Sequence, residues 1–414
     1  MKLPKFLEPY SNLPRSIYIL FLVRVINSMG SFVFPLLTLF LTDRLGLGAK
    51  EAGAFVSLST MSYVPGGLLG GKLSDIFGRK KVMVISQGLA ALSFIPCAFL
   101  GKSMVIPWLL ILAGVLNGAA QPANSAMVAD LTNSKNRKAA FSLLYMGINI
   151  GFSVGPLIAG FLYKKYLPFT FLGNAAAIFI AITLLMLFVE ETKPSYRNIS
   201  DEIPEEEKAQ EGSVFSVLLK RPSVLIYALL SSLYSFAYSQ GNFSTTLQLK
   251  QLYGDNASTL MGGIFFTNGI VVVTMTAIIV YLTKKNKPLF NIALAGIFFA
   301  CGFGMLYFIS AYPLYIFSTV VWTIGEILNA TNSGVYIADH APSSHRGRFN
   351  SILTIITGAG SAVGPYIMGG YIQRFGVRLV WPLVFAITIF SAISMYTLNL
   401  NEVKKQKLIK VKTC

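Results

Sequence analysis

Glu326 stands in the middle of a long apolar stretch, in the run Thr323-Ile-Gly-Glu326-Ile-Leu-Asn329. A carboxyl shielded from water at such a position can bind and release a proton near neutral pH. A fixed polar group, hydrogen-bonded between helices, is the competing reading. No other acid lies so deep in an apolar stretch, so proton coupling is expected at Glu326. Arg24 lies about two turns inside the first apolar stretch. Its long stem lets it reach back to a polar surface, or it faces a cavity as counter-ion to Glu326 or to an anionic substrate. Asn27, Asn117, Gln121, Asn124, Tyr145, Asn149, Tyr234, Tyr238, Gln240, Asn268, Asn329 and Asn332 are the expected cavity lining. Singly, each is as well explained by helix packing. Jointly they describe a pocket of amides and aromatics with little charge, which suits an amphipathic organic molecule better than a polyanion.

The elements that carry these residues are apolar to a degree that soluble proteins do not reach. The chain is 54% hydrophobic and 12% charged, where a soluble domain carries roughly 25% charge, so most of its surface faces lipid. Twelve stretches approach the length of a membrane-crossing helix: 17–41, 50–70, 80–100, 105–129, 139–161, 168–189, 223–248, 258–282, 288–309, 312–338, 347–371 and 379–399. No cleavable signal peptide is expected, because the first apolar run is full length and lacks a small-residue cleavage site.

The net charge of +17 is a matter of placement. With the N-terminus in the cytoplasm, 25 of the 34 Lys and Arg fall in cytoplasmic segments and eight on the opposite side. The positive-inside rule therefore predicts cytoplasmic termini, a multi-pass protein of the cell membrane, and no nucleic-acid partner. Cys97, Cys301 and Cys414 form no spaced pair, and His340 and His345 have no companion ligands, so no metal site is expected.

Hydrophobicity breaks longest over 190–222, which holds eight of the 17 acidic residues before ending in an apolar stretch with a basic finish. It reads as a cytoplasmic linker with a short interfacial helix. The expected organisation is a six-helix half at 1–189, the linker at 190–222, a second six-helix half at 223–400 and a basic tail at 401–414. The two halves are related. Ala129, Asp130, Ser134, Arg137, Ser142, Gly151, Val154, Gly155, Pro156, Ile158 and Gly160 each recur 209 positions later without a gap. Duplicated membrane halves are how many secondary transporters are built, with the substrate path between the repeats.

Between the second and third stretches the chain reads GKLSDIFGRKK over 71–81. This resembles the signature of the major facilitator superfamily, roughly G-x-L-x-D-R-x-G-R-K/R, with Ile76 in place of the usual basic residue. The fifth stretch resembles the family's antiporter motif through Gly151, Gly155, Pro156 and Gly160, with Ala159 replacing a glycine. Gly360, Gly364, Pro365 and Gly369 form an equally good copy, so helix packing explains the motif about as well as antiport does. The resemblance implies an all-α membrane fold of twelve helices in two pseudo-symmetric halves, with no enzymatic activity. It also implies a conformational latch of Gly71, Asp75, Gly78, Arg79 and Asp130. In it Asp75 meets the start of the eleventh span near 347–351, and Arg79 bridges Asp75 to Asp130. The second half's equivalent loop, 283–287, lacks the acid. Gly118 occupies the position of the family's usual arginine in the fourth span, and Glu326 resembles an acid in the tenth span of some family multidrug antiporters.

The function implied is alternating-access transport, with proton-coupled export of amphipathic compounds or drugs as the leading reading. A dedicated metabolite, lipid or peptide carrier, working as exporter or proton symporter, is the alternative. The proton gradient takes the place of a cofactor. The expected partners are a small-molecule substrate, protons and the bilayer, with the chain as a monomer. No zinc-protease, serine-hydrolase or phosphate-loop motif is present, which argues against an enzyme and against direct ATP drive.

Overall fold

The computed structural model describes residues 10–11, 13–133, 136–192, 222–340 and 346–413, and all regular structure in them is helical. Eight segments among the described residues are long and apolar enough to cross a membrane, the longest of them (Pro222–Thr283) containing two successive helices. The remaining helices fall short for identifiable reasons of length, charge or composition. Helix nevertheless occupies all twelve of the stretches expected from hydropathy.

The chain divides into two compact units, Met1–Arg197 with Leu249–Val273, and Asn198–Gln248 with Thr274–Cys414. The first contains α1 (Arg15–Met29), α2 (Ala49–Met61), α3 (Tyr63–Phe77), α4 (Arg79–Cys97), α5 (Val105–Asp130), α6 (Arg137–Lys165) and α7 (Leu167–Phe188). Its first apolar stretch is not one continuous helix. Helix stops at Gly30 and resumes as short turns that end in a π-turn at Phe40–Arg44. Pro35 is the cause, since it has no N–H to donate and its ring opposes the carbonyl four residues earlier. The second stretch splits at Ser62 for the same reason, three residues before Pro65.

Ile17, Leu20 and Val23 of α1, Met83 of α4, Met127 of α5, Leu144 of α6 and Leu185 of α7 form one buried apolar core. Side-chain burial alone does not hold α3 against α5. A Cβ on Gly66 would stand 2.0 Å from the Val115 carbonyl oxygen, and one on Gly70 would stand 2.1 Å from that of Ala119. From the other side, a Cβ on Gly118 would lie 2.5 Å from the Tyr63 oxygen. The two backbones touch, which is how membrane helices pack tightly without a hydrophobic driving force.

In the second unit lie most of α8 (Pro222–Tyr253), the later part of α9 (Ala257–Thr283), and α10 (Pro288–Gly304), α11 (Tyr312–His340), α12 (Arg346–Phe375) and α13 (Val380–Thr413). Phe303 stacks between Trp322 and Trp381 at centroid distances of 5.5 and 6.2 Å. Trp381 donates to Gln248, which in turn donates to the Leu306 carbonyl at 3.0 Å, so the buried indole and amide satisfy each other. The tail expected at 401–414 continues α13 as helix to Thr413, because no glycine or proline stands there to end it. The linker and its expected interfacial helix lie, from 193 to 221, outside the described residues.

Candidate functional site

Glu326 lies half-buried near the middle of α11 and lines a cavity of about 240 Å³ inside the second unit. Tyr234, Ser235 and Tyr238 of α8, Phe299 of α10, Asn329 and Ala330 of α11, and Ser361 of α12 form the rest of the wall. Small residues set this geometry. A Cβ on Gly325 would stand 2.8 Å from the Ala295 oxygen, so α11 runs flush against α10 just before the acid. A Cβ on Gly360 would stand 1.8 Å from the Ser232 oxygen, which seats α12 on α8 and brings Ser361 to the wall. Tyr238 packs edge-on against Phe299 and Trp322, at 6.4 and 5.7 Å. The carboxyl therefore shares its cavity with aromatic rings, an amide and two serines.

The first unit holds a second polar group at depth. Arg24 is in the third turn of α1, and its Nη2 donates to Gln121 Oε1 and Asn124 Oδ1 of α5, both at 3.1 Å. The side chain therefore joins two of the expected cavity residues instead of reaching back along the helix. Asn27, one turn along α1, has a buried Oδ1 with no hydrogen-bond donor among the described residues. Asn117 stands one turn before Gln121, half-buried. Gly151 and Gly155 place α6 against α1, where Cβ atoms would lie 2.5 Å from the Val25 oxygen and 2.4 Å from the Met29 oxygen. Gly160, with Gly262 and Gly269, does the same for α6 and α9.

Other expected lining residues are used differently. Gln240 is fully buried: its Nε2 donates to the Phe236 carbonyl and Ser239 Oγ, and its Oε1 accepts from Ser244. Its polar atoms are satisfied by its own helix. Asn332 accepts from Asn291 of α10 at 3.0 Å and donates to Leu328, bracing α11. Asn149 donates to the Tyr145 carbonyl within α6, while the Tyr145 ring is exposed. Asn268 of α9 is almost completely buried in the first unit.

The residues of the expected latch meet at the end of α5. Arg79 is 6% exposed, and its guanidinium reaches Asp130 Oδ2 at 3.1 Å, Asp75 Oδ1 at 3.2 Å and the Ser74 carbonyl at 2.9 Å. Gly78 has φ +102°, a conformation that strains any residue with a Cβ. A Cβ on Gly71 would meet only the Pro122 side chain, at 4.0 Å. Sequence reasoning missed Glu191, whose carboxylate accepts the Lys80 and Lys81 backbone N–H groups at 3.1 and 3.2 Å and caps α4. Burial pushes its carboxyl up, but the backbone N–H groups of Lys80, Lys81, Arg79 and Thr192 outweigh that and hold it below the ordinary carboxylate value. The Thr192 hydroxyl donates to Asp130 at 3.2 Å. In sequence Glu191 is the second acid of the 190–222 segment, and nothing there distinguishes it from the other acids. The expected contact of Asp75 with 347–351 falls on side chains outside the described residues.

A separate charged cluster gathers beyond the other end of α5. Lys250 Nζ lies 2.6 Å from Asp43 and 3.2 Å from Asp255, and the Arg44 guanidinium covers the Tyr163 ring at 5.4 Å. These groups, with Lys102 and Lys164, line or adjoin a cavity of about 350 Å³. Among the described residues no group of three or more His, Cys, Asp or Glu is placed to hold a metal ion.

Comparison with known proteins supplies the family. The chain is 26% identical over 389 residues to the uncharacterized MFS-type transporter YttB of Bacillus subtilis, covering 93% of this chain and 94% of that one. It is 24% identical to a Na(+), Li(+), K(+)/H(+) antiporter of Planococcus maritimus, over 82% and 85% of the two chains. It is 25% identical to multidrug resistance protein 1 of Bacillus subtilis, over 83% and 85%. A crystal structure of a POT family transporter with a thioalcohol-conjugated peptide superposes with TM-score 0.78 at 14% identity, covering 94% of this chain and 96% of that one. That likeness shows the fold, an all-helical multi-pass membrane architecture. The model of the Major Facilitator Superfamily matches residues 20–365 and 328–412, and with a polar site embedded in each of two helical units the chain belongs to that superfamily of membrane transporters.

Proposed function

We propose that this transporter exports amphipathic organic compounds in exchange for protons, with Glu326 as the proton-binding group. The observation that carries this reading is a half-buried carboxyl at mid-helix, opening on a cavity of aromatic rings, an amide and two serines. Aromatic faces accept apolar rings and organic cations alike, and an acid there exchanges one cation for another. The family's alternating-access cycle supplies the two conformations that such an exchange needs. Energetically the exchange is adequate, because each proton entering gains about 2.3 kcal/mol per 100 mV, roughly a fifty-fold concentration ratio. Relatives named as a proton antiporter and a multidrug resistance protein support the same reading.

The accompanying topology is twelve spans in two six-helix halves, 1–189 and 223–400, with both termini in the cytoplasm of a monomer in the cell membrane. Asp75, Arg79 and Asp130 then act as a latch on the cytoplasmic side, with Glu191 anchoring the start of the linker to it.

The test uses purified full-length protein in liposomes with an imposed pH gradient and a panel of fluorescent amphiphilic cations. Gradient-driven movement by wild type that disappears in Glu326→Gln is the expected result. Movement that survives the substitution removes Glu326 from coupling. A wild-type protein that moves none of the cations overturns the amphipathic-drug reading.

A further inference from the structure

Among the described residues of the first unit, Arg24 carries a positive charge at depth and bonds to neutral amides alone. It lies roughly 14 Å along the axis from the start of α1, well away from the helix end. Both of its recorded bonds leave from Nη2, to Gln121 and Asn124. The Nε–H is buried and has no acceptor among the described residues, and no bond is recorded from Nη1. One turn away, the buried Asn27 Oδ1 has no donor among the described residues. Gln121 is exposed, so one edge of the arrangement is open to a ligand.

A brace between α1 and α5 explains the two amide bonds but not the charge. A glutamine or a serine pair bridges two helices without bringing an ion into the membrane. Two amide oxygens orient a guanidinium, yet they leave its charge uncompensated, and buried charges are kept where something pairs with them. The Nε and Nη1 donors carry no bond among the described residues and are left for charge-assisted hydrogen bonds to the oxygens of an anion. We infer that Arg24, held by Gln121 and Asn124, binds a singly charged carboxylate on the transported molecule, with Asn27 accepting an N–H or O–H from the same molecule. The inference rests on the transporter reading and narrows its substrate class from amphipathic compounds in general to acid-bearing or zwitterionic ones. A single guanidinium with neutral neighbours balances one negative charge, which disfavours doubly charged phosphate monoesters.

The probe is a matched pair, a rhodamine with a free benzoate and the ethyl ester of the same dye. Binding to the purified full-length chain is read by fluorescence anisotropy, and transport is read in proteoliposomes. The acid is expected to bind at least about ten-fold more tightly than the ester. Arg24→Gln should erase that preference by weakening the acid far more than the ester, and Arg24→Lys should restore part of it. Equal affinity for acid and ester in the wild type overturns the inference. So does a preference that survives Arg24→Gln, or an equal loss of both dyes that makes Arg24 a structural brace. Should Arg24→Gln fold poorly, the wild-type comparison of acid with ester still decides. Proton coupling is judged separately: an acid preference in binding that persists in Glu326→Gln, with gradient-driven transport absent from the wild type, upholds this inference and overturns proton antiport.

Discussion

The same helix of the repeat carries opposite chemistry in the two units. The offset of 209 places Asn117, Gln121 and Asn124 of α5 on Glu326, Ala330 and Ser333 of α11. In the first unit the amides of this helix turn toward a cation, and in the second the helix itself provides the acid among aromatic rings. The repeat gives the two helices one pattern, while the side chains at these positions differ. On the function proposed above, the difference is a division of labour in which the second unit exchanges a proton and the first holds a fixed charge. Gly118 shows why that charge sits on α1 and not on α5. Its Cβ would lie 2.5 Å from the Tyr63 oxygen, so the helix has no room there for an arginine.

The comparison breaks most visibly if its two members respond alike. Glu326→Gln should abolish gradient-driven accumulation in proteoliposomes, while Asn117→Ala at the equivalent position should leave it measurable. Comparable losses in both would mean that the halves share the coupling chemistry. Gly118→Arg, which restores the family's usual residue, should cost about 3 kcal/mol or more through overpacking against Tyr63, seen as a collapse of the detergent melting temperature. A stable Gly118→Arg protein would show that α3 and α5 separate readily, and the steric account would fail. Gly78→Ala should cost about 1–3 kcal/mol, because φ +102° strains alanine and its Cβ would press on the Glu191 carboxylate. Gln121→Ala and Asn124→Ala should each weaken carboxylate-dye binding about three- to ten-fold by loosening the guanidinium. Weakening of the ester to the same degree would leave the amides with packing alone.

The smallest effect concerns Glu191. Its carboxyl is held below the ordinary value, so its contribution to stability is present above about pH 4.5 and is lost as the pH falls below that towards the folded value. Glu191→Gln should therefore lower the melting temperature slightly at pH 7 and flatten its acid dependence. The exposed position keeps the effect below about 1 kcal/mol. An unchanged profile would mean that the α4 cap is made by other groups.

Much of this protein is legible along the chain because the bilayer imposes a strict local rule. Every backbone group in lipid must be bonded within its own helix, so apolar length predicts helices, and the helices sit where hydropathy places them. The motif at 71–81, the 209-residue repeat and the acid at 326 are equally local facts. The interruptions at Ser62 and after Gly30 follow from Pro65 and Pro35 and could have been foreseen from them. What required tertiary structure is the sorting of polar residues into ligands and braces. Gln240 and Gln121 are both amides in apolar helices, yet one is sealed among its neighbours and the other faces an arginine about a hundred positions away. Glu191 looks like a linker acid until the fold brings it to the first turn of α4. Composition and periodicity determine where a helix lies and how deep a residue sits in it. Which way the residue faces, and what meets it there, depends on contacts between distant segments, and those exist only once the helices have packed.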